Sequence, residues 1–375
     1  MTCESLTLRN NKNNKVKLEL RETVRFHTKM TEKSYGGNNG VREHIGGKIT
    51  KTSSKSIAKS KQSLKSQSSS SSPNTTDDKE QSKELQDYKR AGEIAKKITE
   101  YAKLIIKPDM LLVEIAQKIE KEIEKHNAQP AFPVNLSIND IAAHYHPTLE
   151  DETKAHGLLK VDIGIHINGF IADTAFSLDL TPDKKYKELI KASEDALNEA
   201  LNILDENPTL NDIGNTIQQI IQRKGFSPLI NLCGHELAQN TIHAGITIPN
   251  YANNNNNKIN PGAYAIEPFA TTGQGKVYEG PSSNIYAITH LKNTRSPTAR
   301  KILEYVWEKN KTLPFSLREI QEKFGNMSRL ALKELEQAGI VHNYPQLIEI
   351  SHNPVSQAEH TFIKTPDGKI IVTTR

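Results

Sequence analysis

The chain has 375 residues, 35% of them apolar and 25% charged, and its 49 Lys and Arg against 44 Asp and Glu give a formal net charge of +5. This composition is ordinary for a soluble globular protein. No apolar run approaches the roughly 18 residues of a membrane span, and the N-terminus lacks the apolar core of a signal peptide. Only two cysteines are present, Cys3 and Cys233, which argues against a disulfide framework and predicts a reducing cytoplasm.

The first 80 residues differ in charge from the rest of the chain. They carry 16 Lys and Arg against 8 Asp and Glu, a net of +8, which leaves 33 against 36, a net of −3, for the remainder. The segment from Thr50 to Asn74 is rich in Lys and Ser and has too few large apolar residues to offset the entropy of ordering. We therefore predict a basic, largely disordered extension over residues 1–80. Its charge suits contact with RNA phosphates, for example on a ribosome, and a solvated extension with no dedicated partner is the plainer interpretation.

Two helices and a broken strand are predicted after the extension. Apolar residues recur every three or four positions over 84–105 and again over 111–126. The segment AFPVNLSINDIAAHYHP, from Ala131 to Pro147, predicts a strand interrupted by turns. His144 and His146 lie at its end, where a histidine is more often a surface or packed residue than a catalytic one.

A hairpin follows over Gly157 to Leu180, where two runs rich in Val, Ile and Phe flank the turn dipeptide Asn168-Gly169. If this turn sets the register, the numbers of facing residues sum to about 337, so Gly164 faces Asp173 and Asp162 lies one diagonal step away. The two carboxylates then share one face. Like charges that close cost several kcal/mol without a cation between them, and Gly164 leaves space for one. We interpret the pair as half of a metal site, with two solvated aspartates as the alternative.

Two more helices and a short apolar strand come next. Helices are predicted over 182–204 and 210–224, and Thr209 with Asp212 forms a candidate capping box at the start of the second. The strand Ala263 to Ile266 then carries Glu267. A glutamate at the end of a buried strand is costly unless it has a cation.

The C-terminal part alternates between strand and helix. A strand over 283–291 precedes three short helices and a glycine-containing hairpin within 297–347, an arrangement that resembles a winged helix. The third helix has too few unopposed basic residues for phosphate contact, which favours a packing insertion over a DNA-binding module. Two strands around Asp367-Gly368 end the chain, with Glu359 inside the first.

Five segments, in this order, resemble the methionine aminopeptidases: AAHYHP, KVDIGIHINGFIADTAF, GHELAQNTIHAG, AIEPFATTGQG and SQAEHT. The similarity extends over 84–375, and the helical insertion at 297–347 resembles that of the type II enzymes, with AIEPFATTG archaeal in character. The resemblance implies an α+β pita-bread fold in which two related halves enclose the metals. It also implies the metal ligands, which would be Asp162, Asp173, His235, Glu267 and Glu359.

This ligand set has a definite chemical preference. Four carboxylates and one imidazole suit Mn, Fe, Co or Zn rather than a thiolate-type site. Two divalent ions balance four carboxylates, and ions about 3.5 Å apart can share a water, lower its pKa and polarise a carbonyl. Spacing alone does not select these five residues from the many acids in the chain.

The resemblance implies roles for further residues. Glu267 would also move the proton of the nucleophile, His144 would hold the scissile amide, and His243 would bond the substrate carbonyl. By their position beside the motifs, Phe132, Ile242 and Tyr344 are candidates for the apolar methionine pocket, with ordinary core packing as the alternative.

The function expected from these observations is removal of the N-terminal methionine from nascent proteins whose second residue is small. Two other functions are weighed against it: a proline-specific pita-bread peptidase, which uses the same ligand types, and a non-catalytic ribosome- or RNA-binding relative, which would lack ligands. We expect a cytoplasmic protein that has no membrane contact and acts as a monomer.

Overall fold

The computed structural model describes residues 77–375, so the extension predicted over residues 1–80 lies almost wholly outside the described residues. Within this range none of the helices is both long and apolar enough to cross a membrane. A short 3₁₀ turn, Ile203–Glu206, also occurs. The α-helices are α1 (Asp77–Ile105), α2 (Leu112–Lys125), α3 (Lys187–Asn202), α4 (Leu210–Arg223), α5 (Pro297–Lys309), α6 (Leu317–Phe324) and α7 (Ser328–Gln337).

The strands of the described residues form four small sheets, with the orders β1-β4-β2 with β5 on β4, β14-β10-β6, β12-β11-β13-β3 and β16-β15-β9-β7-β8. Every pairing between these strands is antiparallel. The strands are β1 (Gln129–Pro130), β2 (Asn135–Ile138), β3 (Ile141–Ala143), β4 (Leu158–Ile167), β5 (Phe170–Asp179), β6 (Ser227–Pro228), β7 (Cys233–Leu237), β8 (Thr247–Pro249), β9 (Gly262–Ile266), β10 (Phe269–Thr271), β11 (Val277–Ile288), β12 (Phe315–Ser316), β13 (Val341–Glu349), β14 (Val355–Gln357), β15 (His360–Lys364) and β16 (Ile370–Val372).

The hairpin register predicted from the sequence is confirmed. Strands β4 and β5 pair without interruption along their length, and Gly164 faces Asp173. Asn168 and Gly169 have φ values of 53° and 86°, the positive values that a tight two-residue hairpin turn requires. Because a slip of one residue would turn every side chain to the opposite face, this register fixes where Asp162 and Asp173 point.

Two helix pairs cover the sheets and divide the core into two halves. In the first half, α1 and α2 bury one apolar stripe each against β2, β4 and β5. In the second half, α3 and α4 pack on β9 and β15, and the predicted capping box of Thr209 and Asp212 begins α4. The halves meet where β5 lies beside the segment 357–361: the Thr174 hydroxyl donates to the Glu359 carbonyl, and the Ser177 hydroxyl donates to the Gln357 carbonyl. The site therefore lies at the junction of two separately packed cores.

The insertion has the three predicted helices, α5 to α7, around a small apolar core of its own. It differs from a winged helix in its last element. Strand β13 does not fold back into a local hairpin but pairs with β11 and with β3. This pairing extends the insertion into the main body and brings Tyr344 and Pro345 next to the end of β3.

Two local expectations are wrong. Helix α1 begins at Asp77 rather than near residue 84, and β11 begins at Val277 rather than at Ser283, because its pairing with β13 compensates for a polar segment without alternation.

Candidate metal centre

Two aspartates on the central hairpin point into one cavity between the halves. Asp173 on β5 is 2% exposed, and Asp162 on β4 is paired with Ala175, the next residue but one along β5. A cavity of about 70 Å³ receives both carboxylates. The two acids therefore share a face, as the register requires.

The space beside Gly164 is occupied by an aromatic side chain, in contrast to the sequence-based expectation of room for a cation. A Cβ built on Gly164 would lie 2.2 Å from Cε1 of Phe132. Glycine is needed here because the ring of Phe132 packs directly on the backbone between the two aspartates. Phe132 is 8% exposed and also lines the cavity.

His235 and Glu267 come from adjacent strands of the second half. His235 lies on β7 and is 4% exposed, and Glu267 follows the last residue of β9, the neighbouring strand. The His235 Nε2 atom lies 3.8 Å from Oδ2 of Asp173 and 3.8 Å from Oε1 of Glu267. The Asn250 side-chain amide donates to the carbonyls of Leu232 and Glu267, which ties the two segments together.

Glu359 does not lie inside a strand, as the sequence suggested, but in the short connection between β14 and β15. Its backbone forms an isolated bridge with Ala175: the Glu359 N–H donates to the Ala175 carbonyl at 2.9 Å. This break in the strand turns the 1% exposed carboxylate toward the hairpin. Alternation along a continuous strand could not have predicted this orientation.

The side chains present fit a bound divalent cation. Asp173, His235 and Glu359 each offer one ligand atom, and these atoms lie within 4.8 Å of one another. Buried carboxylate oxygens of Asp162, Asp173 and Glu359 have no hydrogen-bond partner among the described residues. Buried oxygens without partners are costly, and a cation coordinated by several of them removes that cost. The oxygen-rich donor set with one imidazole suits Mn, Fe, Co or Zn.

The pKa values of the cluster residues also indicate a site for divalent cations. Burial raises the pKa of Asp162 to about 7, and burial together with the neighbouring carboxyls raises the pKa of Asp173, Glu267 and Glu359 well above their ordinary values. Burial lowers the pKa of His235 to about 4, so its imidazole is neutral at pH 7 and available as a ligand. Without cations these acids retain protons, and cations would displace them.

Two further histidines border the cavity. The rings of His235 and His243 meet edge to face, with centroids 4.5 Å apart. The His144 Nδ1–H donates to the Pro345 carbonyl at 3.1 Å, and Tyr344 packs edge-on against the same imidazole, with ring centroids 5.7 Å apart. Because a carbonyl can only accept, this bond assigns the proton to Nδ1 and leaves a lone pair on Nε2 of His144.

The structure brings all ten sequence-predicted site residues to one cavity. Their individual roles stay predictions, since proximity does not assign chemistry. Sequence reasoning missed four other residues of the same lining, and Pro314 is instructive among them because it comes from the insertion and no motif marks it. The predicted residues at the cavity are Phe132, His144, Asp162, Asp173, His235, Ile242, His243, Glu267, Tyr344 and Glu359, and the missed ones are Asn135, Ala143, Ile285 and Pro314.

Two α+β halves that enclose a largely buried cluster of four carboxylates and one imidazole define a metal-dependent hydrolase of the pita-bread class. Residues 86–300 match the model of metallopeptidase family M24, and the chain belongs to this family. The pita-bread fold predicted from the sequence is thereby confirmed.

Curated relatives carry the name methionine aminopeptidase. The chain is 43% identical over 288 residues to the methionine aminopeptidase of Pyrococcus abyssi, which covers 76% of this chain and 97% of the relative. It is 33% identical over 322 residues to methionine aminopeptidase 2 of Komagataella phaffii, which covers 79% of this chain and 71% of the relative.

Solved structures support the fold at low sequence identity. A thermophilic Arx1 superposes with a TM-score of 0.66 at 19% identity, over 77% of this chain and 90% of that one. A methionine aminopeptidase of Rickettsia prowazekii superposes with a TM-score of 0.55 at 19% identity, over 78% of this chain and 98% of that one. These likenesses concern the fold alone.

Proposed function

We propose that the protein is a methionine aminopeptidase of type II, which hydrolyses the peptide bond after an N-terminal methionine with the help of two divalent metal ions. The observation that carries the proposal is the buried cluster of Asp162, Asp173, His235, Glu267 and Glu359, complete in a chain 43% identical to a curated methionine aminopeptidase. Four carboxylates match the charge of two divalent ions, which supports a dinuclear centre; the ions would be Co, Mn, Fe or Zn.

The five cluster residues would hold the ions, which when bound lower the pKa of a water and polarise the scissile carbonyl. Glu267, whose side chain is 15% exposed, would take the proton of the attacking water and pass it to the leaving amine. His243 would donate to the developing oxyanion, a contact worth about 3 to 4 kcal/mol in comparable sites.

The remaining lining residues would position the substrate. The unprotonated Nε2 of His144 is an acceptor for the N–H of the scissile amide, because Nδ1 is committed to Pro345. An apolar methionine side chain needs an apolar pocket. The same cavity has an apolar part of its wall, lined by Phe132, Ile242 and Tyr344. Phe132 and Ile242 belong to one apolar cluster, so the wall is supported by packing behind it.

We also propose a substrate class and a cellular location for the protein. The substrate would be the N-terminal methionine of nascent polypeptides with a small second residue, processed in the cytoplasm by a monomer. The basic extension at residues 1–80 would contact RNA, as on a ribosome, through release of phosphate counterions. Neither alternative is favoured: the five ligands are all present, and the curated relatives carry the name methionine aminopeptidase.

The test combines metal binding with peptide cleavage. Metal-stripped protein is titrated with Mn²⁺ or Co²⁺ and assayed on Met-Ala-Ser, on Met-Xaa-Ser peptides with larger second residues, and on Xaa-Pro peptides. We expect two equivalents of metal, preference for small second residues, and loss of activity by Asp173→Ala. Asp195→Ala is the control and keeps wild-type turnover, because Asp195 is a partly exposed aspartate on α3 that pairs with Lys224 and lies outside the metal cluster. Release of Xaa from Xaa-Pro in preference to methionine from Met-Ala, or full activity of Asp173→Ala, would refute the proposal.

A further inference from the structure

A buried arginine of the insertion contacts the main body of the protein. Arg318, in the first turn of α6, is 4% exposed, an unusual burial for a residue that is always charged. Its Nη2 lies 2.5 Å from Oε2 of Glu120 on α2. Its Nε and Nη2 lie 3.3 Å and 3.2 Å from Nε2 of His146. A buried charge persists only with such partners, so the contact between insertion and body depends on Glu120 and His146.

His146 links Arg318 to the backbone segment that forms part of the cavity wall. It is 1% exposed, and its Nδ1–H donates to the Val134 carbonyl at 2.8 Å. Because Nδ1 carries the proton, Nε2 is free to accept from Arg318. Burial and the Arg318 charge lower the pKa of His146 to about 3, which keeps the imidazole neutral. Hydrogen bonds thus connect Arg318, His146 and the Val134 carbonyl in series.

Val134 and His146 in this hydrogen-bonded series are close in sequence to residues of the cavity. Val134 is two residues after Phe132, and His146 is two residues after His144. His144 has a φ of 65°, a left-handed conformation that few residues other than glycine adopt. Such a backbone persists only where its surroundings hold it on both sides. Pro345 holds His144 itself, the Leu136 N–H donates to the Tyr145 carbonyl at 2.7 Å, and His146 is the first fully buried side chain after His144.

We propose that Arg318 and His146 are positioning residues that fix His144 toward the scissile amide, so that the helical insertion takes part in catalysis through them. The inference rests on the proposed function. It explains why a neutral histidine is buried at position 146, a residue for which the motif resemblance implied no role. Neither Arg318 nor His146 lines the cavity, so both act through the segments that they hold.

The geometry defines a readout that a merely structural role would not move. The acceptor Nε2 of His144 can bond an amide N–H, whereas an ester at the same position offers none. Misplacing His144 should therefore slow hydrolysis of Met-Ala-Ser and leave the matching depsipeptide, in which lactate replaces alanine, nearly unaffected. The ratio of the two rates reports the position of His144 rather than general stability.

The variants are Arg318→Met combined with Glu120→Gln, which removes the buried charges together, and His146→Leu. His146→Gln is the conservative variant, since its amide oxygen can accept from Arg318. Arg329→Met is the matched control, because Arg329 also joins the insertion to the body, through a 2.8 Å pair with Glu150, but both partners are about half exposed. Urea unfolding and Mn²⁺ titration establish that each variant is folded and binds metal.

We expect kcat on Met-Ala-Ser to fall about tenfold or more in the double variant and in His146→Leu, with less than a threefold change on the depsipeptide and unchanged metal stoichiometry. His146→Gln should recover part of the loss, and Arg329→Met should show none. Equal losses on both substrates, or no loss on the amide in a folded variant, would overturn the inference. If the double variant fails to fold, His146→Gln against His146→Leu decides by the same ratio. An inactive wild-type protein would instead refute the proposed function.

Discussion

Metal binding should expel protons from the carboxylate cluster, and the number expelled should rise as the pH falls. Burial raises the pKa of Asp162 to about 7, so in the metal-free protein this carboxyl is mostly protonated at pH 6 and mostly ionised at pH 8. The pKa values of Asp173, Glu267 and Glu359 are also raised well above their ordinary values, chiefly by burial and then by neighbouring carboxyls that include Asp162. More than one proton should therefore leave per protein molecule when metal binds at pH 6 to 7.

The pH trend separates these protons from other sources. A water that becomes acidic on the metal would release its proton more completely at pH 8 than at pH 6, the opposite of the carboxyl trend. The imidazole of His235 contributes nothing above pH 6, because burial lowers its pKa to about 4 and it is already neutral. The apparent affinity should gain about tenfold per pH unit for each proton released.

Isothermal titration of metal-stripped protein with Mn²⁺, in two buffers of different ionisation enthalpy at pH 6, 7 and 8, measures the proton count directly. Asp212→Asn is the control, because Asp212 is an exposed carboxylate whose pKa is lowered by its capping bonds to Thr209, so its removal should not change the count. A count near zero at pH 6, or one that grows with pH, would show that the cluster is already ionised without metal and that the electrostatic reasoning is wrong.

Three further variants test single contacts. Thr361→Val removes the hydroxyl that accepts the Asp173 N–H at 2.7 Å and donates to the Asp173 carbonyl at 2.8 Å, so Mn²⁺ affinity measured by calorimetry should fall about 10- to 100-fold, with recovery in Thr361→Ser. Gly164→Ala places a methyl against the Phe132 ring and should cost about 1 to 3 kcal/mol in urea unfolding; an unchanged midpoint would mean that the ring moves aside freely. His144→Asn keeps a donor for Pro345 but loses the Nε2 acceptor, so kcat on Met-Ala-Ser should fall about 100-fold, and an undiminished kcat would exclude His144 from holding the amide.

The central hairpin was predictable because local chemistry determines it. A single dipeptide that tolerates positive φ, between two runs of β-branched and apolar residues, fixes the turn, and the period of two then places Asp162 and Asp173. The same short-range logic predicted the capping box at Thr209. Neither prediction needed any information from outside a window of about twenty residues.

The rest of the site depends on contacts between distant segments. Glu359 is aimed by a break between β14 and β15 that forms because its backbone pairs with Ala175, a residue 184 positions earlier. Pro314 reaches the cavity because it directly precedes β12, which pairs with β11, and no local pattern indicates this pairing. The ring of Phe132 occupies the gap at Gly164 because β1 and β2, the strands on either side of Phe132, both pair with β4. Motif resemblance supplied what local patterns could not, because it identified the ligand segments without explaining their geometry.

The candidate metal ligands come from both halves of the protein. The hairpin of the first half supplies Asp162 and Asp173, and the second half supplies His235, Glu267 and Glu359, so neither half alone concentrates four carboxylates. The repulsion between the two aspartates of the first half and the two glutamates of the second arises only when the two cores dock, and the Thr174 and Thr361 hydroxyls bond the segments on either side of that junction. A metal bound to ligands from both halves therefore stabilises the junction itself, and its removal should weaken the contact between the cores before it unfolds either core.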